Sequence, residues 1–483
     1  MKSPKTILRA RAAGPVAAIF MSSLVHGQSS IPSTNGIHAI VGARIEVGDG
    51  HVIEKGTVVV RDGMIVAVAS DAAVPRGADV VDGKGLTIYP GFIDAYTIKG
   101  YTVPKVSPQP DSDPSTGDYA SAFMRETVRR GIHPEGRAIE SLALTDDFLK
   151  PYQTAGFSTV LIAPSGADMS GAAALINLSG RPLRESAMLA NVGQVIGFGN
   201  RGFVFGGGYP SSLMGHIAQL RQTLLDAQWF NAVLRSFEAG GIQRPPSDDS
   251  LIALQTLIAG KTPALFDADN EFEIERSLDI STEFRLKPII AGGAEAWKRI
   301  PNLKRAEALV LLALAFGREP GSKSETPTPP PGTPPSKEAA PVESPSEPPN
   351  PAKVAEQLRL YKETLQNAAT LNKAGIPFAL STKGTKSPSD FMDNLRKAVS
   401  AGYPRDAALR ALTIDAAKIF GVDRQIGSVE VGKTANLVVM TGDFLDAKTK
   451  VKVLYIDGRK IDPTRKPIPP TPHFDFGTEG GNS

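Results

Sequence analysis

The chain alternates short apolar segments with amphipathic ones over most of its length, and this pattern limits the folds open to it. Compact apolar runs, of the length that a strand buried on both faces requires, recur at residues 158–163, 263–267, 288–291, 309–316 and 377–381. Between and after these runs, residues 354–368 and 409–419 carry apolar side chains at spacings of three and four, which predicts amphipathic helices. Repeated strand–helix units over this length predict a parallel sheet, either closed as an eight-stranded barrel or open.

Both ends of the chain have a different pattern. Residues 36–90 and 422–464 contain short segments rich in valine and isoleucine, and glycine turns such as Asp62-Gly63 separate them. Neither segment can bury a core by itself, so we expect the two to pack together into one small sandwich. The barrel, residues 91–421, lies between them in sequence. The predicted fold class is α/β, with a (β/α)8 TIM-like barrel plus a small composite β-sandwich made from both chain ends.

The first 27 residues have the pattern of a signal peptide. Four basic residues and no acidic one accompany an apolar stretch at residues 12–25, and small residues precede a cleavage site after Gly27. The apolar stretch is too short to span a bilayer, although an uncleaved membrane anchor is the alternative. We expect an exported protein of a bacterial periplasm, without a membrane span once the signal is removed.

Composition excludes several kinds of site. The chain has no cysteine, which excludes disulfides, thiolate zinc sites and a cysteine nucleophile. Its 53 basic residues nearly match its 50 acidic residues, and without the first 27 residues the balance becomes 49 to 50. This balance predicts neither a nucleic-acid partner nor attraction to an anionic membrane.

Residues 318–351 interrupt the strand–helix pattern. They are rich in proline, serine, threonine and glutamate and almost lack large apolar side chains. Such a segment cannot offset the entropy lost on ordering, so we expect a disordered insert in a barrel loop. A proline-rich recognition site is the alternative. We also expect residues 465–483 to form a flexible tail.

Two segments carry a resemblance to a known family. Residues 86–98 read LTIYPGFIDAYTI, and residues 408–439 form a helix-like stretch followed by a return to the sandwich pattern. The first is similar to the PG-hydrophobic-ID-A-H-T-H run with which amidohydrolases enter their barrel, and the second to their closing helix. The resemblance covers about residues 36–461 without the insert, and imidazolonepropionase-like members resemble the chain most. It implies a (β/α)8 barrel and hydrolysis of non-peptide C–N bonds, as in cyclic amides or amidines, with zinc or another divalent metal.

The same resemblance implies which positions would bind the metal, and this sequence departs from the family there. Tyr96 and Ile98 occupy the positions of the first-strand histidine pair. Asp267 and Gly292 occupy those of the fifth- and sixth-strand histidines, and Lys383 that of the eighth-strand aspartate. We therefore predict no metal and no other cofactor, and we assign no catalytic residue. The candidates for a degenerate site are Tyr96, Ile98, Asp267, Asp269, Gly292 and Lys383.

The histidines lead to the same prediction. Only His133 and His216 lie in the predicted barrel, and they lack the i,i+2 or i,i+4 spacing of a metal-ligand pair. We expect both to be solvated or core residues. The others belong to the signal, the sandwich and the tail: His26, His38, His51 and His473.

An ion pair is the expected substitute for the metal. A carboxylate at the barrel mouth is costly to desolvate without a partner. We expect the Lys383 ammonium to replace the metal charge and to pair with Asp267, while Tyr96 fills nearby volume. The alternative is that Lys383 and Asp267 both point into water, as we expect for Asp269. An ion pair would raise the pKa of Lys383, which argues against a Schiff-base nucleophile.

Two functions follow from these residues. The first is a catalytically inactive protein with the amidohydrolase scaffold, which binds a small-molecule ligand or an active paralogue and could form oligomers. The second is an active C–N hydrolase with a non-standard metal site or a metal-free site. A purely structural protein of the cell envelope is a third alternative.

Overall fold

The computed structural model describes most of the chain between its two ends: residues 36–103, 131–198, 212–320 and 351–464. All of these residues belong to one compact unit, Asn35–Ser483. The predicted signal peptide, residues 321–350 of the predicted insert, and the predicted tail lie outside the described residues. Within the described ranges, no helix is both long and apolar enough to cross a membrane.

One eight-stranded sheet combines both ends of the chain, as expected. The amino-terminal part contributes β1 to β5, at His38–Glu46, Val52–Arg61, Met64–Ala69, Asp79–Asp82 and Thr87–Pro90. The carboxyl-terminal part contributes β14 to β16, at Leu437–Met440, Val451–Ile456 and Arg459–Ile461. The strand order is β16-β15-β14-β5-β1-β2-β3, with β4 beside β1, and β5 joins the two parts by pairing antiparallel with β14. The strands therefore form one mixed sheet, and a two-layer sandwich stays a prediction.

The second eight-stranded sheet lies between these parts in sequence. Its strands β6 to β13 are Phe92–Thr97, Phe157–Ile162, Met169–Asn177, Ala187–Ile196, Ala264–Ala268, Pro288–Gly292, Leu309–Ala313 and Phe378–Ser381. The five apolar runs at residues 158–163 to 377–381 are thus confirmed as strands. Neighbouring strands pair in chain order, and β9 to β13 are parallel.

The prediction of an all-parallel sheet is wrong at β8. This strand runs antiparallel to both β7 and β9. Only residues 163–168 connect β7 to β8, whereas a crossover to a parallel strand needs about a dozen residues or more. The short connection therefore imposes a meander within an otherwise TIM-like arrangement.

Helices separate most of the parallel strands. On one face of the sheet, Leu161, Leu265 and Leu311 belong to one buried cluster. On the other face, residues such as Phe266 and Val310 pack with the helices in a second cluster. The alternation of side chains along each strand places successive residues in these two layers. The helices α1 to α12 are Asp146–Thr154, Leu183–Ser186, Leu213–Glu238, Asp249–Ala253, Gln255–Ile258, Glu271–Phe284, Ile300–Arg305, Pro351–Leu365, Asn367–Ala374, Pro388–Ser400, Arg405–Leu412 and Ile414–Ile419.

The first and last strands of this sheet, β6 and β13, lie side by side. No backbone ladder joins them in the part of the chain that the structure describes. Instead, the buried Asp94 carboxylate accepts hydrogen bonds from the Thr382 amide (2.8 Å) and the Thr382 hydroxyl (2.6 Å). The Tyr152 hydroxyl also lies 3.2 Å from the hydroxyl oxygens of Thr97 and Thr382. Side chains therefore bridge the place where a closed barrel would have a ladder.

We expect Asp94 to make stability depend on pH. Burial raises the pKa of Asp94 to about 6, although hydrogen bonds from Thr382 oppose the shift. The folded protein then binds the Asp94 proton more tightly than the unfolded chain does, so this group favours folding below about pH 4. That contribution is lost as the pH rises through about 6.

Asp94→Asn mimics the protonated side chain and removes this titration. Relative to the variant, we expect the wild-type free energy of unfolding to fall by up to ~3 kcal/mol between pH 4 and pH 7. Urea unfolding of both proteins at intervals across this range measures the difference. Parallel pH curves for the two proteins would contradict the prediction.

Candidate functional site

The carboxyl ends of four strands bring the predicted site residues to one edge of the barrel. Tyr96 lies in β6, Asp267 in β10 and Gly292 at the end of β11, and Lys383 follows β13 by two residues. These four strands run in the same direction, because β7 and β9 are both antiparallel to β8 and the other neighbours are parallel. In barrel enzymes this edge is where ligands and reactive groups meet.

Lys383 is the centre of a compact polar cluster. Its ammonium donates to an Asp267 carboxylate oxygen, to Asp269 Oδ2 (2.9 Å) and to the Ala291 carbonyl oxygen (3.1 Å). These three bonds occupy all three donors of the ammonium. The structure thus contains the expected pair of Lys383 with Asp267. We name the side chains of Lys383, Asp267 and Asp269, together with the Ala291 carbonyl, the ammonium cluster.

The expectation of a purely solvated Asp269 is wrong. One of its oxygens bonds Lys383, while the side chain as a whole is 50% exposed; the Lys383 side chain is only 15% exposed. The turn after β10 places this carboxylate within hydrogen-bond distance of Lys383. Asp269 therefore joins the cluster and also presents acceptor surface to solvent.

The cap of helix α6 holds that turn in place. Glu273 Oε2 accepts hydrogen bonds from the backbone amides of Asp269 (2.8 Å) and Asn270 (3.2 Å). The Asn270 side chain in turn accepts from the Glu273 amide at 3.0 Å, which completes a capping box. The sequence Asn-x-x-Glu after an apolar run was a usable signal for this turn, and our sequence analysis missed it.

The electrostatics keep the Lys383 amine protonated. Burial opposes its charge most strongly, but the charges of Asp267 and Asp269 outweigh burial and raise the pKa of Lys383 above that of a free lysine. A Schiff-base nucleophile needs a neutral amine. Lys383 therefore supplies a fixed positive charge within the cluster and no reactive amine.

Gly292 makes room for the cluster. Its φ of +119° is unfavourable for residues with a side chain, and an added Cβ would lie 2.1 Å from Asp269 Oδ1 and 2.6 Å from Lys383 Nζ. Both distances are far below van der Waals contact. The position therefore cannot supply a side-chain ligand while the cluster exists.

Tyr96 contributes an unused polar group. The side chain is fully buried, and within the described residues its hydroxyl has no hydrogen-bond partner. Burial, and then the nearby charges of Asp267 and Asp269, raise the pKa of Tyr96 well above that of free tyrosine. The phenol is therefore neutral and has a free donor close to the ammonium cluster. Ile98, two residues on, is 48% exposed and adds no polar group.

The two barrel histidines behave differently from each other. His133 is partly exposed, with Nδ1 3.5 Å from Glu135 Oε1, in line with a solvated residue. His216 Nδ1 instead lies 2.6 Å from Asp168 Oδ2, and the Asp168 side chain is only 3% exposed. The expectation for His216 missed this partner because Asp168 and His216 lie on separate elements, whose packing no local pattern shows.

The fold is similar to that of proteins with solved structures. An amidohydrolase from Thermotoga maritima MSB8 superposes over 88% of this chain and 99% of its own, with a TM-score of 0.69 and 22% identity. A Xaa-Pro dipeptidase with bound methionine in the active site covers 88% of this chain and 100% of its own, with a TM-score of 0.51 and 15% identity. The fold is that of the amidohydrolases.

Sequence similarity is confined to parts of the chain. Residues 350–461 match the amidohydrolase family. A dihydroorotase from Mycobacterium tuberculosis H37Rv is 29% identical over 150 residues, which are 31% of this chain and 32% of the relative. The chain thus spans about a third of the length of the curated relatives that it matches.

The described residues do not fit the divalent metal that an amidohydrolase fold implies. An ammonium already lies between the two carboxylates. At the neighbouring strand ends, Gly292 has no side chain and Ile98 has no donor atom. Across the described ranges, no three histidine, aspartate or glutamate side chains converge in a way that could hold a metal ion.

Gly292→Ala tests the packing of the cluster. The added methyl must displace Asp269 or Lys383, so we expect a loss in the free energy of unfolding. Gly402→Ala is the matched control, because Gly402 has a similar φ of +110° and open space around its Cβ position. Both substitutions place a residue with a side chain at a positive φ, which destabilises the folded state by about 1–3 kcal/mol.

We expect Gly292→Ala to lose about 1–2 kcal/mol more than the control, a value reduced by the partial exposure of the cluster. Urea unfolding at pH 7 measures both losses. Equal losses would show that the cluster tolerates a side chain at this position.

Proposed function

We propose that this protein is a member of the amidohydrolase superfamily that binds a small ligand at the carboxyl edge of its barrel, without a metal and without hydrolysing it. The observation that carries the proposal is the Lys383 ammonium, which is bonded to Asp267, Asp269 and the Ala291 carbonyl. On this proposal, Lys383 and its neighbours replace the metal ligands of an imidazolonepropionase-like ancestor.

The charge of the cluster supports this proposal. A divalent ion about 4 Å from an ammonium is repelled by roughly 8 kcal/mol at an effective dielectric constant of about 20. This repulsion offsets the attraction of one of the two carboxylates. A metal could bind well only if Lys383 lost its proton or left its three hydrogen bonds, and its raised pKa opposes the first.

The same bonds leave the cluster poorly equipped for hydrolysis. Metal-dependent amidohydrolysis needs bound water with a lowered pKa and a general base. Here Lys383 holds its proton and has no free donor or lone pair, so it can neither act as a base nor replace the effect of a metal on the pKa of a water. The proposed role is therefore ligand binding.

The polar groups that remain free indicate the class of ligand. The exposed part of the Asp269 carboxylate accepts N–H donors, and the Tyr96 hydroxyl can donate to an acceptor. A cyclic amide presents an N–H and a C=O side by side: its N–H can bond Asp269, and its C=O matches the Tyr96 hydroxyl, which is fully buried and which a ligand reaches only when the strand ends around it move apart. The similarity to a dihydroorotase over 150 residues also favours such a ligand.

The second candidate is an active hydrolase of cyclic amides or amidines with a non-standard metal site or a metal-free site. The dihydroorotase similarity is the observation that favours it. It requires a reactive group outside the ammonium cluster. Metal content and activity separate the two candidates.

The cellular setting also stays a proposal. Export to a bacterial periplasm depends on residues 1–27, which lie outside the described ranges. Binding to an active paralogue and self-association are further parts of the proposal that rest on retention of the amidohydrolase fold alone. Fractionation of the native cells and sizing of the purified protein would test these parts.

Exchanging the charge at position 383 tests the metal-free proposal. We expect the purified wild type to hold well below one metal ion per chain and to show no thermal stabilisation by Zn²⁺. Lys383→Asp converts the cluster into three carboxylates, so we expect Zn²⁺ to raise the melting temperature of this variant. Lys386→Asp, with the same charge change at an exposed position, is the control and should not respond.

Elemental analysis, melting curves with and without Zn²⁺, and hydrolysis of dihydrouracil and dihydroorotate are the measurements. Stoichiometric zinc in the wild type, together with hydrolysis that a chelator abolishes, would refute ligand binding without catalysis and establish the second candidate.

Tyr96→Phe separates stability from ligand binding. Removing a buried hydroxyl without a partner should raise the free energy of unfolding by about 1 kcal/mol. The same change should weaken binding of dihydrouracil about tenfold, because the hydrogen bond to its carbonyl is lost. Urea unfolding and titration calorimetry measure the two effects.

Tyr152→Phe is the matched control. Its hydroxyl is bonded to Thr97 and Thr382, so its removal should lower the free energy of unfolding by about 1 kcal/mol. If both variants lose stability and binding of dihydrouracil is unchanged in Tyr96→Phe, the assigned role of Tyr96 is wrong.

A further inference from the structure

A cleft of about 1050 Å³ lies between the composite sheet and the barrel helices α1 and α10. Its walls come from the end of α1, from α10 and from the segment that runs from β14 to the residues after β16. None of the residues that line it belongs to the ammonium cluster. Its volume lies slightly above the usual range of about 300–1,000 Å³ for small-molecule sites.

The floor of the cleft is apolar and firmly supported. Met392, Met440, Phe444 and Val451 line it and are each buried to more than nine-tenths of their surface. The Phe444 ring packs edge-on against Tyr89, with ring centroids 5.6 Å apart. The floor is thus continuous with the protein core, while the methionines can adapt to the shape of an apolar guest.

The rim of the cleft is basic. The lining contains five cationic side chains, and Asp462 is the one acidic residue among the described residues that line it. This ratio contrasts with the near balance of charges in the whole chain. The cationic residues are Lys150, Arg396, Lys450, Lys452 and Lys460.

Some of these charges already have partners. Lys460 Nζ lies 2.7 Å from Asp79 Oδ2, and Arg396 pairs with Asp393. Lys450 and Lys452 are exposed, and within the described ranges their ammonium groups form no ion pair. The rim therefore holds at least two positive charges that a ligand can use.

We propose that this cleft binds a small anionic amphiphile, namely a medium-chain carboxylate. The apolar chain would lie on the floor formed by Met392, Met440 and Phe444, and the head group would face Lys450 and Lys452. A single negative charge suits these ammonium groups, because Asp462 on the same rim opposes a higher charge. Burial of the chain supplies affinity and the lysines supply selectivity for the sign of the head group. This site is independent of the function proposed for the ammonium cluster.

Three probes that differ in one property each test the proposal by titration calorimetry on the full chain. Laurate has both the chain and the anionic head, dodecyltrimethylammonium has the chain with a cationic head, and acetate has the head without the chain. We expect laurate alone to bind. Lys450→Glu and Lys452→Glu should each weaken laurate binding about fivefold, because each replaces an attraction at the rim by a repulsion.

Lys448→Glu is the matched control, since it makes the same charge change at an exposed neighbouring position that does not line the cleft. It should leave laurate binding unchanged, and the melting temperatures of all three variants should match that of the wild type. The proposal is overturned if laurate does not bind, if the cationic amphiphile binds equally well, or if Lys448→Glu has the same effect as the other two variants. Tighter binding of dodecyl phosphate than of laurate would overturn the assignment of a carboxylate head.

Discussion

The pair of hydrogen bonds from Thr382 to the buried Asp94 carboxylate is the constraint on which the barrel and its site depend. These bonds join the first strand of the sheet to the last at the place where no backbone ladder links them in the described residues. They also fix the residue directly before Lys383, and so set the point from which its side chain reaches toward Asp267. A carboxylate without solvent is costly, and its two Thr382 bonds offset part of that cost. The contact between the first and last strands and the position of the Lys383 charge therefore depend on the same pair of residues.

The ammonium cluster lies at the strand ends where the resemblance to amidohydrolases places a metal, within the same kind of fold. The strand ends, the turn after β10 and the cap of α6 all remain in place around Lys383. The kind of charge differs from that in a metal hydrolase. The three donors of the lysine ammonium are bonded to fixed acceptors, whereas a catalytic metal ion keeps a coordination position for a water and lowers the pKa of that water. Similarity to these solved structures therefore shows the fold alone, and only the groups at the site bear on reactivity.

Individual residues show which features of the fold and the site could be predicted from the sequence. The apolar runs were sufficient to predict strands β7 and β10 to β13. The predicted pair of Asp267 and Lys383, more than a hundred residues apart, depended on the family positions that the resemblance implies as well as on the opposite charges. The third bond of Lys383 goes to the Ala291 carbonyl, and a backbone acceptor leaves no trace in the identity of a residue. The partner of His216 was missed for a related reason, since Asp168 becomes its neighbour only when the start of α3 packs beside the β7–β8 connection.

The sequence by itself determined the local elements, because the periods of hydrophobic residues and the turn and cap residues act over a few positions. It also predicted that the two chain ends associate, since neither could bury a core alone, whereas their union in one mixed sheet is a finding of the tertiary structure. Only the tertiary structure decided the antiparallel direction of β8, the inclusion of Asp269 in the cluster and, among the described residues, the lack of a hydrogen-bond partner for the Tyr96 hydroxyl. Each of these depends on distances between atoms far apart in the chain. Such distances are set when strands and helices pack together, and that packing balances burial against hydrogen bonding over the whole molecule.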